Sequence, residues 1–223
     1  MKETKKRVGL SAYEKIKKKI LQHELDFREK LREDDLSREL RLSRTPIREA
    51  LLMLEKEGLL TRSQGRGFNI KSFSIKDVYD FYEIRDILET ASSELIISNV
   101  TDDNVNELSN ILKKVKGIIN KGKAGEALAA GLEFHSKIIE ICRNNMIIDT
   151  LKNCYEKLVL VSWSSHKIEA SVESAREHEK ILSALISKDS DELRIRIHQH
   201  TVNARDRTLN IFKDDTRRLY FLP

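Results

Sequence analysis

The feature that most constrains this chain is a long stretch without proline. None occurs between Pro46 and Pro223. Across that stretch apolar residues recur at three- and four-residue spacing, the period of a helix face. No alternating strand pattern occurs beyond Ile70. A chain of this kind packs helix on helix, and the predicted fold is mainly α. Six bundle helices are expected, at about 75–98, 102–120, 125–142, 145–164, 172–187 and 190–212. Thr101 and Asp189 are the expected caps of the second and sixth. Leu88, Leu95 and Arg85 are expected to face the interior of the first.

The stretch before this bundle reads differently. Leu36 to Gly67 has the pattern of helix, turn, second helix and short hairpin. Ser43 suits an N-cap and Pro46 a first helical turn. Ile47, Ala50, Leu51 and Leu54 then form one stripe, and Gly58 stops the helix. Residues 59–62 and 68–70 are short enough for wing strands, with Gln64, Gly65, Arg66 and Gly67 as the tip. Ahead of this, Ser11 to about Leu25 reads as a helix, residues 2–7 as a mobile basic arm, and Leu25 and Phe27 as packing residues. The domains expected are a winged helix-turn-helix at 1–72, a helical domain at 73–213 and a tail at 214–223.

Charge supports the division. Of the net +5 on 223 residues, positions 1–72 carry +7 and positions 73–223 carry −2. A basic small domain beside a nearly neutral larger one suits a polyanion reader. Arg44 and Arg48 could reach guanine or phosphate, Ser43 and Thr45 could bond phosphate, and Arg66 could enter the minor groove. At 39% hydrophobic residues the chain can bury a core. With no apolar run of membrane-spanning length and no signal-peptide pattern, a soluble cytoplasmic protein is expected. Cys142 and Cys154 sit among apolar residues and read as reduced packing residues.

Three histidines, His135, His178 and His200, fall on the apolar stripes of three different helices. Each alone fits a hydrogen-bonded core histidine. Together, if they converge, three neutral imidazoles suit Zn²⁺ or a similar divalent ion with one position left open. Arg85 and Glu89, one turn apart, fit an ion pair; an inward arginine could instead clamp a carboxylate.

LSRELRLSRTPIREALLMLEKEGLL followed by GRGF resembles the GntR family of bacterial transcription factors. YEIRDILE at 82–89, EFHSKIIEICRNN at 133–145 and REHEKILSALISKDSDELRIRIHQH at 176–200 resemble the helical ligand-binding domain of its FadR-type branch, the FCD group. The resemblance implies a homodimer on a palindromic DNA operator, with Ser43, Arg44, Thr45, Arg48 and Gln64–Gly67 at the DNA. It implies a divalent metal held by His135, His178 and His200. It implies a small carboxylate effector near Arg85, Asn144 and the histidines.

Three positions depart from the pattern. Gly131 stands where the family places a metal-binding aspartate, which leaves room beside the ion for a bulkier effector. Arg41 replaces a usual turn glycine. Asp34 stands where some members carry a DNA-contacting arginine. The reading is a ligand-responsive regulator, a repressor rather than an activator, and not an enzyme. The alternatives are a constitutive DNA-binding dimer without effector, and a metallohydrolase fused to a DNA-binding domain.

Overall fold

The computed structural model describes residues 2–26, 30–63, 67–162 and 167–214. The chain divides into two compact units, Met1–Ser72 and Phe73–Pro223. Phe27, the wing-tip residues Gln64, Gly65 and Arg66, and the tail from residue 215 lie outside the described residues.

The first unit is built from α1 (Lys2–Leu21), α2 (Glu33–Leu40), α3 (Arg44–Lys56), β1 (Leu60–Arg62) and β2 (Phe68–Ile70). Helix α1 corrects the expected basic arm. It begins at Lys2, and Ser11 lies inside it rather than capping it. Lys, Glu and Arg are good helix formers, so the segment extends the helix instead of leaving it. Ala12, Ile16 and Ile20 from α1 are fully buried, as are Ile47, Ala50, Leu51 and Leu54 from α3. These two stripes form the unit's core, where α1 packs on α3. Arg41 ends α2 in the left-handed region, φ 54° and ψ 42°, where a glycine would carry no Cβ penalty. Ser43 has the extended backbone of an N-cap, but its side chain makes no capping bond.

The wing strands pair antiparallel, Leu60 with Ile70 and Arg62 with Phe68. A feature not expected from sequence joins them. Leu31 bridges to Phe68, with Leu31 N donating to Phe68 O at 2.7 Å and Phe68 N donating back at 3.0 Å. Gly67 is needed for that approach. Its φ is 122°, and a Cβ there would lie 2.9 Å from the Leu31 carbonyl oxygen.

The second unit is all helical: α4 (Ile75–Ala91), α5 (Ser93–Asn99), α6 (Asp102–Ile119), α7 (Ala124–Glu140), α8 (Asn145–Ser162), α9 (Ile168–Ser187) and α10 (Ser190–Asp214). Two capping boxes start helices. Ser74 and Asp77 exchange bonds at α4, and Thr101 and Asn104 do so at α6. Asp189 accepts from Glu192 N at 2.9 Å and caps α10. The single helix expected over 75–98 is two. The Ser92 hydroxyl donates to the Leu88 carbonyl at 2.7 Å, a back-bond that bends helices. The break resets the helical phase, so Leu95, expected inside, is 44% exposed while Ile96 is buried. Helix α10 packs along α4 and α9, and α7 packs on α6, α8 and α9. The interior between α4, α7, α9 and α10 holds the polar residues considered next. No helix among the described residues is long and apolar enough to cross a membrane.

Candidate functional site

His135 on α7, His178 on α9 and His200 on α10 are all buried. Their Nε2 atoms converge, at 3.0 Å between His135 and His178, 2.9 Å between His135 and His200, and 3.3 Å between His178 and His200. Helical periodicity put each ring on an inward face; packing of the three helices brings the rings together. Among the described residues this is the one histidine, cysteine and carboxylate cluster whose donor atoms lie close enough to share an ion.

Two carboxylates behind the rings set their protonation. Glu89 Oε2 lies 3.0 Å from His135 Nδ1, and Glu177 Oε2 lies 2.7 Å from His200 Nδ1. A carboxylate only accepts, so each Nδ1 carries the proton and each Nε2 presents a lone pair. His178 Nδ1 is buried and has no hydrogen-bonding partner among the described residues. At most one of the three Nε2 atoms can therefore donate, and at least one pair of lone pairs faces another at van der Waals range or closer. Nitrogens sharing a tetrahedral zinc at about 2.0–2.1 Å lie about 3.3 Å apart. The donor set therefore fits a divalent cation, with the carboxylates in the supporting position usual for metal-bound histidine.

The rings are held neutral. Burial lowers the His200 pKa to about 3, against the opposing effect of the hydrogen bond that it donates to Glu177. Burial also pushes His178 well down, reinforced by His200, His135 and Arg85. His135 is lowered by burial, although Glu89 opposes the shift. A cation is favoured by such neutral imidazoles because His135 and His200 already present bare Nε2 lone pairs, and neutral His178 can do so with its proton on Nδ1.

Arg85 stands beside the histidines on α4. Only 1% of it is exposed. Its Nε donates to Glu89 Oε1 at 2.5 Å, and its guanidinium lies 5.4 Å from the Tyr155 ring centroid. Tyr155 Oη donates to the same Glu89 oxygen at 3.0 Å. Burial raises the Glu89 pKa, but Arg85 and then His135 outweigh it and hold the carboxyl below the usual carboxylate range. The i,i+4 pair read from sequence is thus real, and it is buried. One guanidinium nitrogen, Nη2, has no partner among the described residues.

A cavity of ≈ 50 Å³ opens here, lined by Tyr82, Arg85, Gly131, Ser162, Arg207 and the three histidines among others. That volume holds a few waters or a small acid. Gly131 faces the site and lines this cavity. A Cβ there would lie 3.3 Å from His178 Cε1, so that imidazole would have to shift by a few tenths of an ångström to admit one.

Asn144 is not brought to this cavity. It is exposed, and its Oδ1 accepts from Met146 N and Ile147 N at 3.1 and 3.3 Å, which caps α8. Sequence reasoning also passed over Glu177 and Arg207. Arg207 donates from both terminal nitrogens to Glu177, at 2.9 and 2.7 Å, and so fixes the carboxylate that orients His200. Burial raises the Glu177 pKa, but the Arg207 and His200 bonds bring it to about 2. The one available signal was spacing: Glu177 precedes His178, and Arg207 lies two turns beyond His200.

In the first unit, Ser43, Arg44, Thr45 and Arg48 are exposed together at the start of α3. The Arg44 and Arg48 side chains are 72% and 69% exposed. Gly67 is half-buried at the base of the wing. The two cysteines are free and buried, and burial pushes the Cys154 thiol up to about 12.

Comparison with known proteins places both units. Residues 9–70 match the family described as bacterial regulatory proteins, gntR family, and residues 80–203 match the FCD domain. The chain is 28% identical over 197 residues to the Nta operon transcriptional regulator of Aminobacter aminovorans, covering 86% of this chain and 90% of that protein. It is 30% identical over 176 residues to the gluconate operon transcriptional repressor of Bacillus licheniformis, covering 76% and 72%. Among solved structures, E. coli McbR/YncC aligns with a TM-score of 0.81 at 18% identity, over 93% of this chain and 98% of that one.

Proposed function

Because the chain belongs to the gntR family of bacterial regulatory proteins and carries an FCD domain, it is a DNA-binding transcriptional regulator and not an enzyme, and we propose that it is a homodimeric repressor of a palindromic operator, sensing a small carboxylate. The observation that carries the sensing half is the convergence of three buried Nε2 atoms beside Arg85 on a small cavity. The relative named as a gluconate operon repressor supports the repressing sign.

Ser43, Arg44, Thr45 and Arg48 would meet the major groove, since the N-terminal end of a recognition helix faces the bases. Gln64 to Gly67 would meet the adjacent minor groove. In the second unit His135, His178 and His200 would hold Zn²⁺ or a similar divalent ion. When bound, that ion supplies positive charge and an open position for an acid's oxygen. Glu89 and Glu177 keep the Nδ1 protons in place and aim the Nε2 atoms inward. Arg85 offers its unpartnered Nη2 to the acid's carboxylate, and the ≈ 50 Å³ cavity sets the acid's size. Preferential binding of the acid to one of two dimer arrangements would change operator affinity by linkage.

Arg48→Ala and Arg66→Ala in a gel-shift assay on the promoter of the protein's own operon test the DNA surface. Each is expected to weaken binding; unchanged affinity in both would overturn it. Elemental analysis with a thermal-shift screen of small carboxylic acids tests the sensor. Stoichiometric metal that disappears in His135→Ala, and acids that raise the midpoint only in the wild type, are the expected results.

A further inference from the structure

The two arginines at the start of α3 are not free in the absence of DNA. Arg44 Nε lies 2.8 Å from Asp34 Oδ1, and Arg48 Nε lies 3.8 Å from Glu33 Oε1. Both carboxylates belong to the first turn of α2. The third acid of that turn, Asp35, is engaged elsewhere, with Arg38 Nη2 at 2.5 Å. So two successive carboxylates of one helix stand against the two arginines of the next, on a face where a duplex would present phosphates.

We propose that Asp34, with Glu33 in support, is a specificity-determining residue that holds Arg44 and Arg48 for base reading and withholds them from indiscriminate phosphate contact. This rests on the reading that the start of α3 faces DNA. A carboxylate on the Nε side of a guanidinium occupies one edge and leaves the outer N–H groups for another acceptor. Guanine offers O6 and N7 to such a pair of donors in the major groove. A phosphate can accept from the same outer N–H groups, but it brings its negative charge against a carboxylate of the same sign, a repulsion that neutral guanine does not meet. The carboxylates also lower the local positive potential that supplies sequence-independent affinity. The pairs are exposed, hence weak and exchangeable. They bias which partner the arginines accept without locking them.

The test uses the full-length protein and two duplexes in fluorescence anisotropy over a salt series. One duplex is selected from a random pool by the wild type; the other is a scrambled sequence of equal length. Asp34→Asn is expected to tighten binding to the scrambled duplex by about threefold to fivefold at low salt. Its slope of log affinity against log salt should steepen by up to about 0.9. Affinity for the selected duplex should change by less than about twofold, so the ratio between the duplexes narrows. Glu33→Gln should act in the same direction and more weakly, as its longer separation requires. In an Arg44→Ala background Asp34→Asn should no longer narrow the ratio, because the effect runs through Arg44.

Asp34 and Glu33 also sit favourably at the α2 N-terminus. Thermal unfolding of each variant separates that structural role, which would lower the midpoint without changing the ratio. Equal tightening on both duplexes would mean simple repulsion of DNA and would overturn the inference, as would no change on either. If Arg44→Ala itself leaves both affinities intact, the DNA-facing reading of α3 fails and the inference fails with it. A harmful Arg44→Ala combined with an unchanged ratio in Asp34→Asn sinks the inference alone.

Discussion

Two arginine–carboxylate pairs of nearly equal length do opposite things in this molecule. Arg44 and Asp34 meet at 2.8 Å in water, with side chains 72% and 57% exposed. Arg85 and Glu89 meet at 2.5 Å in the interior, with side chains 2% and 4% exposed. Water screens the first pair and solvates both partners when they part, so an exchange of partners costs little. The second pair has no water to return to. Parting it would leave a bare charge in a low-dielectric interior. The difference teaches what each unit is built for. On the proposed function, the start of α3 would release its arginines to an incoming polyanion, whereas the interior of the second unit holds its charges in a fixed place.

The sharpest way to break this contrast is Glu89→Gln. It leaves Arg85 buried with no counter-charge, and because an amide keeps only one acceptor oxygen, either His135 Nδ1–H or the Arg85 and Tyr155 donors lose their acceptor. Urea unfolding followed on the helical unit should show a loss of about 3–5 kcal/mol. A loss below about 1 kcal/mol would mean that the buried pair behaves like a surface one.

Glu177→Gln comes next. Glu177 is half-buried, so the fold should survive, but His200 loses the charge that orients it. Zn²⁺ affinity, read by competition with a chelating dye, should fall about 10- to 100-fold. Unchanged affinity would remove the carboxylate behind the ring from the site's design.

Acid should distinguish the units more gently. In metal-stripped protein the buried histidines have pKa values below the ordinary 6.5, His200 down at about 3, because burial disfavours their charged form. Unfolded chain therefore binds more protons below pH 6.5, and stability present above that value is lost as the pH falls toward 3. Glu177, lowered from 4.5 to about 2, adds a further loss below about pH 4.5. The thermal midpoint of the helical unit should drop between pH 7 and pH 5 and stay flat from pH 7 to pH 8. A midpoint that rises on acidification would place charged histidines in the folded state.

The smallest effect should come from the exposed pair Arg62 and Glu55, 3.0 Å apart. Glu55→Gln should change stability by less than about 1 kcal/mol in urea titration. A larger cost would show that surface pairs in the first unit are structural, and would narrow its difference from the second.

Much of the fold could be read along the chain because helix faces are local. The 3.6-residue period put Ile47, Leu51 and Leu54 on one side of α3 and His135, His178 and His200 on three inward stripes, and all six are buried. Where local rules compete, the reading failed. The Ser92 back-bond and an uninterrupted apolar period both fit residues 75–98, and only the packed helix chose the break. Residues 2–7 carry charge typical of a mobile arm and propensity typical of a helix, and the helix won. Asn144 looked like a pocket residue by position in a motif, yet a nearby helix start used its side chain first.

By itself the amino-acid order determined the class of structure, the division of charge between two units and, where a helix runs unbroken, which face turns inward, since each follows from spacing of a few residues. Only tertiary structure decided that three imidazoles share one point, that Glu89 serves Arg85, His135 and Tyr155 together, and that His178 stands against Gly131. Those relations join residues dozens of positions apart. Their distances are set by how helices pack, which depends on the whole core at once.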